Sequence, residues 1–172
     1  MPMPDLERLP LIDSYATRLL ESRWVALDEA CADRKLRYPG VYILAFSERA
    51  LAGKQIKVSD VFYIGMSTAR LGVQQRLRQF KAGIERNCCH SGAMRFYREH
   101  ANDRPFSKLQ GDRGFYAAAL VTQCERQSPA DWRHMGHVAC LEYYAIARVL
   151  EKTGKVPPLN LAKDPIPRAV PE

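Results

Sequence analysis

Between Val61 and Phe80 the sequence changes its period. Val-Phe-Tyr-Ile is a β-branched and aromatic run, Gly65 and Ser67 break it, and Leu77, Phe80 and Ile84 then recur at helical spacing. The segment therefore reads as strand, tight turn and cationic helix. A tyrosine near the strand end, a glycine that admits close backbone approach and arginines on the next helix make a place where phosphate could be held. This strand-to-helix unit calls for a sheet with at least one helix packed on it.

The neighbouring elements supply that sheet. Pro39 and Gly40 punctuate the entry to a strand over Val41–Phe46, with Tyr42, Leu44 and Phe46 on one face. A polar segment containing Gly53 leads to the strand at about Val58–Ile64, and two strands joined this closely form an antiparallel pair. Gly114–Thr122 reads as a third strand. Helices are expected over Ser14–Asp33 with Asp13 as its cap, over Val73–Ile84, over Ala93–Glu99, and from Pro129 to Thr153 with Gly154 as its stop. The fold class is thus α+β, a small three-stranded antiparallel sheet flanked by helices. Residues 1–36 read as an added N-terminal helical extension, residues 37–161 as the domain, and residues 162–172 as an extended proline-rich tail.

At 172 residues the chain has room for one ordinary domain. No apolar run approaches the roughly 20 residues that span a bilayer, and the N-terminus has no basic-then-apolar leader pattern, so no membrane association and a cytoplasmic location are expected. Five cysteines form an odd set without C-x-x-C spacing, which reads as reduced thiols. The net charge of +7 favours polyanionic partners. Its distribution is uneven: Arg70 to Arg104 holds eight Lys/Arg against three acids, whereas Met1 to Lys35 holds five against seven.

On the long helix, Met135, Ala139, Glu142, Ile146 and Val149 share one face. A carboxylate within that apolar stripe needs a metal ion or an arginine as partner, because an unpaired buried charge is expensive. Cys88, Cys89 and His90 with His134, His137 and Cys140 have the chemistry of zinc ligands. Adjacent cysteines usually do not converge on one ion, however, and the other three are at plain helical spacing, so structural zinc is not expected.

Gly40-Val41-Tyr42 on one strand, Tyr63-Ile64-Gly65 on the next, an arginine on the following helix, a glutamate on a later helix and Pro158-Leu159-Asn160 after it together resemble the GIY-YIG nuclease superfamily. The resemblance spans about Tyr38 to Asn160. It implies metal-dependent cleavage of nucleic-acid phosphodiesters, most naturally DNA, with Mg²⁺ or Mn²⁺. By it, Tyr42 and Tyr63 are the motif tyrosines, Arg76 the helix arginine, Glu142 the metal ligand, and Gly65 and Asn160 residues that shape the site. Phe80 stands where many members place a histidine or tyrosine, and His90 is the candidate replacement. Arg70, Arg78, Lys81, Arg95 and Arg98 would track the nucleic-acid backbone, and a homodimer or protein partner would supply specificity. Taken singly, the tyrosines suit a core, whereas Glu142 has the best standalone case, with a structural ion pair as its alternative. The alternative function is a non-catalytic nucleic-acid-binding module on the same scaffold.

Overall fold

A computed structural model describes residues 10–100 and 114–160. It is an α+β structure around one four-stranded, fully antiparallel sheet in the order β1-β4-β2-β3. The strands are β1 (Val25–Ala26), β2 (Gly40–Ser47), β3 (Val61–Ser67) and β4 (Gly114–Val121). The helices are α1 (Pro10–Leu20), α2 (Leu27–Ala32), α3 (Gly72–Arg86), α4 (Ser91–His100) and α5 (Pro129–Thr153), with short 3-10 turns at Arg34–Arg37, Val58–Asp60 and Pro158–Asn160.

β2 is paired on both sides, and its alternation assigns the two faces of the sheet. Val41, Ile43 and Ala45 point into a core closed by Ile12, Ala16 and Leu19 of α1 and Val138, Leu141, Ala145 and Val149 of α5. Tyr42 and Leu44 point into a second core made with α2, α3 and α4, through residues such as Leu27, Leu77, Phe80 and Phe96. A register shift between Leu44 and Ala45 against β3 lets Phe62 join this second core.

α5 has the bounds that its sequence dictates. Ser128 accepts the Asp131 N–H while the Asp131 carboxylate accepts the Ser128 N–H, Pro129 occupies the first turn, and Gly154 ends the helix with φ 70°. Its buried row is Val138, Leu141, Ala145 and Val149. Glu142 therefore stands half-buried at the margin of the core face, not in its middle as the apolar stripe suggested.

Two expectations are corrected. The sheet has four strands rather than three, and the segment expected as one helix over Ser14–Asp33 is α1, β1 and α2. Tertiary backbone bonds break that helix: Trp24 N–H donates to Lys54 O (3.0 Å), Gly53 N–H donates to Trp24 O (2.8 Å), and Val25 then pairs with Ala117. Burial of the Trp24 ring fixes the crossover. Asp13 does not cap a helix that begins at Ser14, because α1 already starts at Pro10. Its carboxylate instead accepts two bonds from Arg148 of α5, the first at 2.9 Å from Nε. The N-terminal segment is thus a strand and two helices built into both cores. The proline-rich tail, residues 162–172, lies outside the described residues.

Candidate active site

Tyr42 sits opposite Gly65 of β3 and Ala119 of β4, the smallest neighbours a strand can offer. Its ring lies over Gly65, where an added Cβ would be 2.6 Å from the Tyr42 hydroxyl and 2.8 Å from the Tyr63 ring. Tyr63 projects from the same face of β3, its ring centroid 6.1 Å from that of Tyr42, and stacks on Phe80 of α3. Tyr42 is 0% exposed and Tyr63 8%.

His90, 2% exposed, completes the cluster. The chain leaves α3 through Asn87 (φ 53°) and turns at Cys89 (φ 68°), with His90 N–H donating to Cys88 O at 2.8 Å. An i to i+2 bond around a residue of positive φ is a γ-turn, a strained conformation for a residue with a side chain. It aims the imidazole inward, where Phe80 meets it edge-on at 5.3 Å and its Nε2 lies 2.8 Å from the Tyr42 hydroxyl.

The protons of this cluster can be assigned. His90 Nδ1 accepts the Ala93 N–H (3.3 Å), capping the first turn of α4. Burial first, and the Arg76 guanidinium second, lower the imidazole pKa to about 4, so the ring is neutral at pH 7. With Nδ1 accepting, the single ring proton is on Nε2, which donates to the Tyr42 oxygen. The Tyr42 and Tyr63 phenols each act on the other's proton, and Ser91 acts on Tyr63. The donor chain runs outward, from Ala93 N–H to His90 and from His90 to Tyr42, whose ring neighbours Tyr63 at 6.1 Å between centroids. Tyr63, the more exposed phenol, lies at its outer end.

Arg76 is the charge common to the cluster. It is half-buried on α3, its Nη1 donating to Gln79 Oε1 at 2.9 Å, and it acts on Tyr42, Tyr63, His90 and Glu142 alike. Burial pushes Tyr42 well above the ordinary phenol value and Tyr63 upward, with Arg76 opposing both shifts and Glu142 raising Tyr63 further. Burial also raises Glu142, against the lowering effects of Arg76 and of a hydrogen bond with the Met66 backbone.

β3 is the edge strand, and its open side is where Glu142 meets it. Asn160 accepts the Ile64 N–H (2.8 Å) and donates to the Ile64 carbonyl (2.7 Å), mimicking one rung of an absent strand. Met66, two residues on, has the same orientation, and its backbone acts on Glu142. Asn160 thus closes the edge beside the site, and Arg95 fixes its turn by donating to Leu159 O at 2.6 Å.

Tyr42, Tyr63, Gly65, Arg76, His90 and Glu142 therefore come together, with Asn160 and Arg95 supporting them from behind. Arg78 donates to Cys31 O (3.0 Å) and Lys81 pairs with Asp28 (2.6 Å), so both turn toward α2 and away from this cluster. Arg98 is exposed on α4. Arg70 and Arg126 line a recess of about 280 Å³ with Pro39, beside the start of β2. A second recess, about 330 Å³ and lined by Tyr15, Arg18, His134 and His137 among others, lies on the α1 and α5 face, and none of the tyrosine cluster lines it. No group of three or more His, Cys, Asp or Glu able to hold a metal exists among the described residues. The zinc-like constellation is accordingly dispersed, with His90 in the core and His134 and His137 exposed on α5.

Sequence reasoning missed Gln79, Ser91, Gly92 and the Met66 N–H. Gly92 was legible in principle, since a glycine in the first turn of a helix marks close approach, here to the Tyr63 ring at 2.8 Å from an added Cβ. No family model, curated protein or solved structure matches the chain.

Proposed function

We propose that this chain is a metal-dependent endonuclease of the GIY-YIG kind that hydrolyses nucleic-acid phosphodiesters, with DNA as the favoured substrate. One observation carries the reading: two strand tyrosines, a neutral histidine, an arginine and a glutamate, from β2, β3, the turn before α4, α3 and α5, converge beside one sheet edge, with Arg76 acting on the other four. An antiparallel sheet flanked by helices is compatible with the fold that the resemblance implies, with β1 as a fourth strand beyond the three expected. Among the described residues no helix is long and apolar enough to cross a membrane. A cytoplasmic location remains part of the proposal.

The donor set fits a hard cation. Glu142 is a single half-buried carboxylate, and Mg²⁺ characteristically takes one or two carboxylates, leaving its other positions to water and phosphate oxygens. Such an ion supplies charge neutralisation at the phosphoryl oxygens and favours an ionised oxygen nearby. The chain's own residues do the rest. Tyr63, the more exposed phenol, orients the attacking water and takes its proton once ionised. Tyr42 donates to the Tyr63 oxygen and stabilises that phenolate, while His90 donates to Tyr42 and holds it in this sense. Arg76 stabilises the charge that develops at phosphorus. Exposed Arg98 and the recess arginines Arg70 and Arg126 would meet the flanking backbone, giving a salt-dependent affinity with little sequence preference.

The test is nicking of supercoiled plasmid by purified protein with Mg²⁺ or Mn²⁺, with chelator and Glu142→Gln controls. Nicking that disappears in both supports the enzyme. Salt-dependent DNA binding without cleavage of any duplex, flap, junction or single strand refutes it in favour of a binding module. The upward shifts of both buried phenols are the observation that favours this second reading in the absence of metal.

A further inference from the structure

The turn that delivers His90 is made by two adjacent thiols. All five cysteines lie in described residues and all are free. Cys31 is buried, and burial pushes its thiol up to about 11, which makes it unreactive. Cys89 is exposed and Cys88 half-exposed, and their sulfurs face each other at 2.7 Å. We infer that Cys88 and Cys89 form a reversible modification site, closing to an internal disulfide by exchange with a small-molecule disulfide, and that closure withdraws His90 from Tyr42.

The exchange balances without other reactants. The Cys89 thiolate attacks the small disulfide, forming a mixed disulfide and expelling one thiolate. The Cys88 thiolate then attacks the Cys89 sulfur and expels the second. Two protein thiols and one disulfide become one protein disulfide and two small thiols, each expelled thiolate taking up one of the two protein-thiol protons.

The consequence for His90 follows from which peptide must move. Consecutive Cα atoms across a trans peptide are about 3.8 Å apart, short of the about 4.4–6.8 Å of ordinary disulfides, so a disulfide between neighbours closes a small strained ring that contains the peptide between Cys88 and Cys89 and distorts it. The carbonyl of that peptide is Cys88 C=O, the acceptor of His90 N–H at 2.8 Å. It also packs on Gly83 of α3, where an added Cβ would be 2.6 Å from the oxygen, which leaves no slack on the helix side. Turning it breaks the γ-turn, and without that turn the imidazole loses its 2.8 Å contact with the Tyr42 hydroxyl. A strained disulfide of this kind is readily reduced, so the change is reversible.

The experiment uses the full chain equilibrated in oxidised and reduced glutathione, labelled with diethyl pyrocarbonate and mapped by mass spectrometry without reduction. The expected oxidised product is a peptide carrying both cysteines and lighter by two hydrogens, with His90 acylated. The reduced chain leaves His90 unlabelled, and dithiothreitol restores that state. Cys88→Ser is expected to stop at the mixed disulfide on Cys89. Phenylarsine oxide, which joins two nearby thiols with loss of water, tests their proximity in the unsubstituted chain if that variant fails to fold. Only mixed or interchain disulfides, or an internal disulfide with His90 still unlabelled, would overturn the inference. It does not depend on phosphodiester cleavage: absence of nicking leaves the mapping result standing, and a negative map leaves nicking untouched.

Discussion

Replacing Gly65 with alanine tests the geometry on which the whole site rests. The new methyl would lie 2.6 Å from the Tyr42 hydroxyl, 2.7 Å from its Cζ and 2.8 Å from the Tyr63 ring, each about 0.6–0.8 Å inside the 3.4 Å at which ordinary contact begins. Neither ring can yield easily. Tyr42 is fully buried, flanked by β4 and tied at its far end to His90, and Tyr63 is held between Phe80 and the first turn of α4. Elsewhere in a strand, glycine to alanine stabilises by roughly 0.5–1 kcal/mol, so any loss here is steric in origin. Overpacking of this kind costs about 1–3 kcal/mol, which for a chain of this size lowers Tm by about 2–12 °C. Scanning calorimetry reads that shift. Tyr42→Phe removes the nearest of the three clashing atoms, so a double-mutant cycle of Gly65→Ala with Tyr42→Phe should show a coupling of about 0.5 kcal/mol or more. An unchanged Tm for Gly65→Ala, or strict additivity of the pair, would refute the placement of Tyr42 over Gly65.

Three further outcomes follow from the same site. His90 is held neutral with its pKa lowered to about 4 from an unfolded value near 6.5. The unfolded chain therefore binds the extra proton first, and about 3 kcal/mol of stability present above pH 6.5 is lost as pH falls to 4. Urea titrations from pH 4 to 7 should show this excess slope relative to His90→Asn, which keeps a cap for the Ala93 N–H but does not titrate. Asn160→Ala removes both bonds to Ile64, at about 1–3 kcal/mol, and hydrogen exchange at the Ile64 amide should accelerate. Glu142→Gln removes a carboxylate that burial already disfavours, so Tm should hold or rise while metal-dependent nicking falls by about 100-fold or more.

The parts of this structure written locally were the legible ones. α5 could be bounded from sequence because Ser128, Pro129 and Gly154 carry its ends in their own backbone preferences. β2 and β3 announced themselves as β-branched and aromatic runs bounded by turn residues and joined by a short connection. β1 did not, because two residues of strand are dictated by Trp24 bonding to Lys54 and by a partner strand about ninety residues away. The core face of α5 was misread by one position, since small residues such as Ala139 fit a buried stripe or its margin equally well. In the site, Tyr42, Tyr63, Arg76 and Glu142 could be named from their order along the chain. The place of His90 depends on positive φ at Asn87, which an asparagine after a helix suggests, and at Cys89, which a cysteine does not. The local charge density marks Arg78 and Lys81 but carries no direction, and the structure turns both toward α2.

The ion pair between Asp13 and Arg148 joins the first described helix to the last, across 135 positions of sequence. Ile12, Ala16 and Leu19 share their core with Val138, Leu141, Ala145 and Val149, so the buried side of α1 is not fully covered until α5 has been made. At about 5–20 residues per second, ribosomal synthesis leaves the apolar side of α1 waiting for several seconds or more. During that interval the half-made chain is a candidate for chaperone capture, and a product truncated before Pro129 would carry that exposed surface for its whole lifetime.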